Sequence, residues 1–254
     1  MANKRYVMLD IETTGVDQEK DSILQIGLLE VELVNGEYVP GHSLQFELGY
    51  PGKPENDFAK KNMVALYAKC NKLPVLGSRN YRDRILAFFT AIGMKPEDVE
   101  IMGLNASTFD LPFVQKRGIL RPSGYFTLPN GSEIRVGDTH YRMYELTSAI
   151  KFAMDVTGLD EEKVKAEAYR YAAGVSYRTE YEEKGKKHEA LYDCYHQLKV
   201  LNGLLQLVRR HLSGNGKVVE LLVKAHAALG GNGGPEYLSS LRFEISSVLS
   251  ALES

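Results

Sequence analysis

The sequence predicts an α/β fold in which a mixed five-stranded sheet is flanked by helices, and three observations support this prediction. First, three strand-like segments lie near the N-terminus, and the Asn35-Gly36 turn signal follows the second of them. Second, the later strand-like segments alternate with helical ones. Third, 254 residues with 44% hydrophobic side chains can bury a large core. Antiparallel neighbours followed by strands separated by helices describe a mixed sheet.

Local signals set the bounds of the individual elements. Apolar residues at helical spacing indicate a helix at 56–73, and Gly93 and Pro96 end another at 81–92. The Pro129-Asn130-Gly131 turn precedes the segment predicted as the fifth strand. The predicted strands lie within 6–15 and at 23–34, at 38–39 continuing at 43–48, and at 100–104 and 133–136. The predicted helices lie at 56–73, 81–92, 110–117, 146–157, 161–173 and 189–212.

The chain is expected to divide at "SGNGK", residues 213–217, which has the composition of a linker. We therefore predict a main domain at 1–212 and a helical C-terminal extension at 213–254. The last amphipathic stretch of the extension has an apolar stripe, which either packs within the molecule or binds a protein partner. The stripe consists of Leu238, Leu241, Ile245, Val248 and Leu252.

Charge and composition exclude several classes of protein. A formal net charge of −2 argues against a broad basic surface that grips long duplexes, so any contact with nucleic acid should be local. Because no long apolar stretch or signal-peptide core is present, we expect a soluble, cytoplasmic protein without membrane contact. The two cysteines, Cys70 and Cys194, are too few for a disulfide framework, which suits a reducing compartment. Their spacing is not that of a metal site. The charged segment at 174–187 has the character of a lid.

Two carboxylates lie two positions apart in the first predicted strand. Side chains alternate along a strand, so Asp10 and Glu12 point to one face while Leu9 and Ile11 point to the other. Burying a carboxylate is costly unless it is neutralised, paired or bound to a metal, and a neighbouring like charge increases that cost. The pair therefore predicts a positive partner.

Three further residues carry groups that could join this pair. Asp110 begins a predicted helix, His188 precedes another, and Asp193 lies near the start of that second helix. Each has a structural explanation when taken alone, because acidic residues are favoured at helix starts by capping and by the helix dipole. Only their combination with Asp10 and Glu12 indicates a catalytic site.

The combined motifs resemble those of the DEDDh (DnaQ-like) 3′-to-5′ exonucleases, a family with the ribonuclease H-like fold. The family pattern D-x-E-T-T/x-G is similar to residues 10–15, and its aromatic-Asp pair is similar to Phe109-Asp110. The pattern H-x-A-x-x-D is similar to His188, Ala190 and Asp193. Motif order and spacing agree over residues 5–212, and Asp138-Thr139 looks like the Asp-Thr pair that commonly follows the family's fifth strand.

The resemblance implies a two-metal phosphodiesterase. Four carboxylates form an all-oxygen site that suits two Mg²⁺ or Mn²⁺ ions. Ions ~3.5–4 Å apart can flank a scissile phosphate, activating the attacking water and stabilising the leaving oxygen. By resemblance, Asp10 bridges both ions, Glu12 and Asp193 complete the nucleophile side, and Asp110 serves the other ion. His188 takes the proton from the water.

The resemblance also implies a substrate site for single-stranded 3′ ends. Thr13 and Thr14 would hold the terminal nucleotide, and Asn105 would belong to the same site. The Leu104-Asn105 pair, with four residues between Asn105 and Asp110, resembles DNA exonucleases of the Trex and exonuclease I type, although oligoribonuclease shares this spacing. The leading function is release of nucleoside 5′-monophosphates from DNA. The alternatives are an exoribonuclease and a catalytically inactive nucleic-acid-binding module.

Overall fold

A five-stranded mixed sheet forms the centre of the protein in a computed structural model, which describes residues 5–140, 142–181 and 187–213. The strands are β1 (Arg5–Thr13), β2 (Ile23–Val34), β3 (Glu37–Glu47), β4 (Ile101–Gly103), β5 (Gly124–Thr127), β6 (Glu133–Val136) and β7 (Met143–Glu145). The helices are α1 (Asp57–Asn62), α2 (Val64–Cys70), α3 (Ser78–Ala91), α4 (Asp110–Lys116), α5 (Leu146–Thr157), α6 (Glu161–Gly174) and α7 (Ala190–Ser213).

The sheet has an antiparallel half and a parallel half, with β1 between them. β2 pairs antiparallel with both β1 and β3, whereas β4 runs parallel to β1 and β7 runs parallel to β4. The spatial order is β3-β2-β1-β4-β7. The predicted fold class, a mixed five-stranded sheet flanked by helices, is confirmed.

The alternation of side chains along β1 decides which face carries the paired acids. Apolar residues at positions 7, 9 and 11 join a core cluster with residues of α3 and α4. Tyr6 and Met8 join a second cluster with residues of α7. Asp10 and Glu12 have the same parity as Tyr6 and Met8, so they lie on the α7 face of the sheet.

One predicted strand is not part of the central sheet. Glu133–Val136 pairs antiparallel with Gly124–Thr127 in a separate two-stranded hairpin, because the turn between them returns the chain directly onto the preceding segment. Within this turn the Leu128 N–H donates to the Ser132 carbonyl at 2.7 Å. The fifth strand of the central sheet is instead Met143–Glu145, which pairs with β4. The prediction of the fifth strand was therefore wrong in position.

Other predicted elements agree with the structure except in continuity. The helix predicted at 56–73 is two short helices, because Met63 leaves helical geometry at φ −118° and ψ 8°. The third strand is continuous from Glu37 to Glu47. The five later helices begin and end within a few residues of the predicted bounds.

Several predictions fall partly or wholly outside the described residues. The extension at 214–254 with its apolar stripe lies outside them, as does most of the lysine-rich end of the segment at 174–187.

Within the described ranges, no helix combines the length and apolar character needed to cross a membrane. Cys70 and Cys194 are buried and free.

Candidate active site

A backbone hydrogen bond fixes Asp110 against β1. Its Oδ1 accepts a hydrogen bond from the N–H of Ile11 at 3.0 Å. Ile11 lies between Asp10 and Glu12, so this bond places the Asp110 carboxylate beside both acids of β1. Asp110 is the first residue of α4 and is 5% exposed. The aromatic residue before it, Phe109, is partly buried and packs on the core, with its ring centroid 5.2 Å from that of Phe113.

Helix α7 supplies the fourth carboxylate and a side chain that orients Asp10. Asp193 and Gln197 are four residues apart and therefore lie on one side of the helix. The Gln197 Nε2 donates to Asp10 Oδ1 at 2.8 Å, while its Oε1 accepts from the Leu104 N–H at 3.0 Å. Gln197 is 9% exposed. It thus connects Asp10 with the end of β4.

The start of α7 is anchored on β2 and β3. Gln25 Oε1 accepts from the Ala190 N–H at 2.8 Å, and Gln45 Oε1 accepts from the Leu191 N–H at 2.9 Å. A Cβ atom at Gly27 would lie 2.7 Å from backbone atoms of these same two residues, so the close approach of the helix requires glycine there. These contacts set the position of Asp193 over β1.

His188 lies at the entrance of α7 in a constrained conformation. Its φ is 69°, in the left-handed region, and its backbone N–H donates to Asp193 Oδ2 at 3.0 Å. The imidazole contacts the ring of Phe58 edge-on, with the centroids 4.9 Å apart and the planes at 82°. One ligand atom each of Glu12, His188 and Asp193 lie within 4.8 Å of one another. The sequence-predicted histidine therefore does reach the carboxylates.

The pKa values of all four carboxyl groups are raised. Burial raises the pKa of Asp10 well above its usual value, and repulsion from Asp110, Asp193 and Glu12 adds to this, against the opposing hydrogen bond from Gln197. Burial raises the pKa of Glu12 to about 8, and repulsion from Asp193 and Asp110 adds to the effect of burial. Burial raises the pKa of Asp110 to about 7 and, more modestly, that of Asp193. Burial, together with repulsion at Asp10 and Glu12, thus outweighs the hydrogen bonds that the protein provides to these acids.

The Thr13-Thr14-Gly15 segment forms a tight turn whose hydroxyl groups have local partners. The Thr14 hydroxyl donates to Asp21 Oδ1 and accepts from the Ser22 N–H, each at 2.9 Å. The Thr13 hydroxyl donates to the Gly15 carbonyl at 2.5 Å. Thr13, next to Glu12, is the last residue of β1, and the chain bends directly after it. Turn formation accounts for these hydroxyl contacts, and a role in substrate binding stays a prediction.

Asn105 lies in the loop that leads to Asp110, in the left-handed conformation with φ 58°. Its N–H donates to Glu145 Oε1 at 2.6 Å. The N–H and hydroxyl of Ser107 both donate to Glu145 Oε2, at 3.1 and 2.9 Å. Glu145 at the end of β7 therefore shapes the loop before Asp110. A substrate contact by Asn105 also stays a prediction.

Four supporting residues were not identified from the sequence. A signal existed for two of them, because a glutamine inside an apolar strand needs a hydrogen-bond partner when it is buried. Gln197 also had a signal, since it follows Asp193 by one helical turn. Nothing in the sequence indicated which groups they would contact. The four residues are Gln25, Gln45, Glu145 and Gln197.

Asp138 has a structural role at the end of the hairpin. It is 1% exposed and accepts hydrogen bonds from Arg82 at 2.7 and 2.8 Å and from Arg121 at 3.1 and 3.2 Å. Burial alone would raise the pKa of Asp138, but these arginines lower it. A neighbouring cation, Arg84, lies over the ring of Phe46 at 4.9 Å. This part of the basic character of α3 therefore stabilises the fold.

Similarity searches connect the chain with solved structures. It superposes on the zinc-ion-bound form of the E. coli exonuclease I complex with single-stranded DNA, with a TM-score of 0.50 and 12% identity over 88% of this chain and 43% of that one. It also superposes on a full-length 3′-exonuclease, with a TM-score of 0.50 and 9% identity over 81% of this chain and 62% of the other. The chain thus spans less than two thirds of either protein.

These likenesses define the class of fold. At such low identities they establish a ribonuclease H-like α/β fold shared with these exonucleases. No protein-family model and no curated protein matches the sequence.

Proposed function

We propose that this protein is a metal-dependent 3′-to-5′ exonuclease of the DEDDh type, which releases nucleoside 5′-monophosphates from single-stranded ends, preferentially of DNA. The observation that carries the proposal is the convergence of Asp10, Glu12, Asp110 and Asp193 with raised pKa values beside His188. The fold shared with two exonucleases supports it, and the single-stranded DNA in one of those complexes supports the substrate class.

The donor set fits hard divalent cations. Four carboxylates offer only oxygen atoms, which are the ligands that Mg²⁺ and Mn²⁺ prefer. Bound cations would offset the burial that raises the four pKa values and the repulsion that adds to it at Asp10 and Glu12. Asp10 is central among them, because burial and then repulsion from all three other carboxylates raise its pKa. We propose that Asp10, Glu12, Asp110 and Asp193 hold two such ions, which supply charge stabilisation and water activation when bound.

The remaining steps belong to the side chains of the chain itself. Gln197 holds Asp10 Oδ1, and Ile11 holds Asp110 Oδ1, so the two carboxylates are oriented before any ion binds. His188, within 4.8 Å of ligand atoms of Glu12 and Asp193, takes the proton from the attacking water through a ring nitrogen. Thr13 and Thr14, in the adjacent turn, hold the terminal nucleotide, and Asn105 contacts the substrate from the loop before Asp110.

A comparison of labelled single strands tests the proposal. A DNA oligonucleotide and an RNA of matched sequence, each labelled at the 5′ end, are incubated with the protein and Mg²⁺. We expect a series of progressively shorter labelled fragments, with DNA degraded faster than RNA. Early release of the 5′ label as a mononucleotide would contradict the proposed direction. Binding of both strands without cleavage would instead identify an inactive binding module.

The 3′ end itself should be required. We expect a linear single strand to be degraded at least about 100-fold faster than the same strand with a 3′-phosphate or closed into a circle, because only a free 3′ terminus can be positioned beside the carboxylates. The three substrates are compared by release of acid-soluble nucleotides. Rapid cleavage of the circle would show endonuclease action and remove the role proposed for the turn at 13–15.

Replacement of His188 should slow the chemical step while leaving Mg²⁺ binding intact. His188→Asn is the sharpest variant, because asparagine tolerates the left-handed backbone of this position better than alanine. General-base catalysis is worth ~10²–10⁴-fold, so single-turnover cleavage should slow by about that factor. His211→Asn, at the far end of α7, is the matched control and should match the parent. Equal rates for His188→Asn and the parent would leave His188 with a structural role only.

A further inference from the structure

A cavity of about 400 Å³ opens beside the start of α3. Its walls come from the start of β2, the chain that leaves β3, the loop before α3 and the end of α4. The lining residues include Ser22, Tyr50, Val75, Leu76, Tyr81 and Arg117. The volume lies within the range of ~300–1,000 Å³ found for pockets that take small ligands.

One buried tyrosine fixes the two loops that form the cavity. The Tyr81 hydroxyl accepts hydrogen bonds from the N–H of Gly49 at 3.3 Å and from that of Leu76 at 3.4 Å. The Tyr81 ring is stacked on Phe46, with the centroids 6.1 Å apart and the planes at 6°. A Cβ atom at Gly49 would lie 2.2 Å from the carbonyl oxygen of Pro74, so the two loops approach as closely as glycine allows. The cavity therefore has well-supported walls.

Arg117 brings an oriented positive charge to the lining. Its Nη2 donates to the carbonyl oxygen of Asp21 and, at 3.4 Å, to that of Glu19. Its Nε is buried and has no hydrogen-bond partner in the part of the chain that the structure describes. A buried donor without an acceptor is costly, and an oxygen of a ligand that reaches this nitrogen would remove that cost. The lining thus favours a ligand that carries acceptor oxygens.

Three exposed cations lie within three residues of the lining segments. Within residues 5–140, 142–181 and 187–213, no carboxylate pairs with Lys53, Lys72 or Arg79. Two apolar residues of the cavity are also exposed, Val75 by 69% and Leu76 by 42%. Unpaired cations next to aromatic and apolar side chains are the combination that binds single-stranded nucleic acid, in which phosphates alternate with bases.

The cavity lies next to the turn at 13–15. The Ser22 N–H donates to the Thr14 hydroxyl at 2.9 Å, and Ile23, which also lines the cavity, pairs with Thr13 in the sheet. Ile23 belongs to the core cluster of α3 and α4, so the cavity is on the opposite face of the sheet from the paired acids of β1. A strand whose 3′ end is held at the turn can reach the cavity around this edge of the sheet.

We propose that this cavity is a second nucleotide-binding subsite, which holds an internal nucleotide of a single strand whose 3′ end lies at the carboxylates. The position of the 3′ end rests on the proposed exonuclease function, whereas binding of single strands in the cavity does not. The base lies against Tyr50 and the apolar residues, and neighbouring phosphates contact Lys72 and Arg79. A dinucleotide is too short to occupy both places.

Binding of a single strand tests the charged part of the subsite. Fluorescence anisotropy of a 5′-labelled twelve-nucleotide oligo(dT) is followed in a chelator, in which no cleavage is expected. The double variant Lys72→Gln/Arg79→Gln should bind about 10-fold more weakly, and the slope of log affinity against log salt should fall by about 1.4, because each phosphate contact of a single strand contributes ~0.7. Thermal unfolding checks the fold of the variant.

A control removes the same charge elsewhere. Lys95 follows the far end of α3, and Lys151 lies on α5. The double variant Lys95→Gln/Lys151→Gln should bind the oligonucleotide like the parent, with the same salt slope. If the two double variants weaken binding equally, only the net charge matters, and the subsite is disproved.

Photochemical cross-linking locates the contact directly. One thymine of the oligonucleotide is replaced by 5-iodouracil at each position in turn, and the complexes are irradiated and digested for mass spectrometry. We expect an internal position, and not the 3′-terminal one, to link to residues 49–51 or 75–78, with Tyr50 as the main site. Linkage of every position to other segments only would overturn the proposal.

An activity measurement separates the subsite from the exonuclease function. For the parent with Mg²⁺, kcat/KM for the twelve-nucleotide strand should exceed that for the dinucleotide by at least about 10-fold, because the second contact is intramolecular once the first is made. Lys72→Gln/Arg79→Gln should reduce this advantage, mainly through KM. Equal kcat/KM values for both lengths in the parent would disprove the subsite while the exonuclease function stands. Cross-linking in the cavity by a parent protein that cleaves neither substrate would leave the subsite standing and contradict the exonuclease function.

Discussion

Asp10→Asn should abolish nearly all nucleotide release while leaving the fold intact. The asparagine has the same shape and keeps an oxygen that can accept the hydrogen bond from Gln197 Nε2. It removes the ionisable carboxyl group whose pKa is raised by burial and by all three other carboxylates. Loss of about 4 kcal/mol of transition-state stabilisation corresponds to a rate about 10³-fold lower, and metal ions at a phosphoryl centre supply stabilisation of that order.

The same substitution should not destabilise the metal-free protein. A buried carboxyl group with a strongly raised pKa costs folding free energy once it ionises, and Asp10→Asn removes that cost. Single-turnover cleavage and thermal unfolding in the presence of a chelator measure the two effects. Asp155→Asn, the same chemical change at an exposed position of α5, is the matched control. An Asp10→Asn rate within tenfold of the parent would contradict the proposed metal site.

Removal of divalent ions should stop the reaction completely and reversibly. A chelator is expected to abolish nucleotide release, and excess Mg²⁺ or Mn²⁺ should restore it, because the proposed chemistry depends on the bound ions. The rate is followed through one cycle of removal and addition. Undiminished cleavage in the chelator after dialysis would contradict metal dependence. Failure of added ions to restore the rate, in a protein that is still folded, would contradict reversibility.

The stability of the metal-free protein should fall as pH rises. A carboxyl group with a raised folded-state pKa contributes stability that is fully present below its unfolded value, near 4, and is lost as pH rises through the folded value. These folded values are about 7 for Asp110 and about 8 for Glu12. Ions bind the deprotonated groups, so the rise in Tm on adding Mg²⁺ should be larger near pH 8 than near pH 5. An equal rise at both pH values would show that Mg²⁺ binds elsewhere.

The location of the carboxylates was predictable because it depends on simple periodicities. The alternation along β1 puts Asp10 and Glu12 on one face, and the same alternation puts Tyr6 and Met8 against α7. Asp193 lies on that helix, so its approach to β1 follows from the packing of two apolar surfaces. The sequence could therefore predict which groups meet, although the contacts that orient them were not predictable.

The errors in the predicted fold have local causes. β7 is three residues long and runs directly into α5, so no turn or change of composition separates it from the helix. Glu133–Val136 has a clear turn before it, but a turn signal does not say whether the resulting hairpin joins the central sheet. The partners of Gln197 and Glu145 are contributed by β1 and by the loop that follows β4, and such distant pairings leave no local pattern.

The most direct test of the central claim is the position of bound metal. Crystals grown with Mn²⁺ and a nucleoside 5′-monophosphate would be measured at the manganese absorption edge. We expect two anomalous peaks ~3.5–4 Å apart, one beside Asp10, Glu12 and Asp193 and the other beside Asp10 and Asp110. Peaks only at surface acids, or no peak within bonding distance of Asp10, would contradict the claim that these four carboxylates form a two-metal nuclease site.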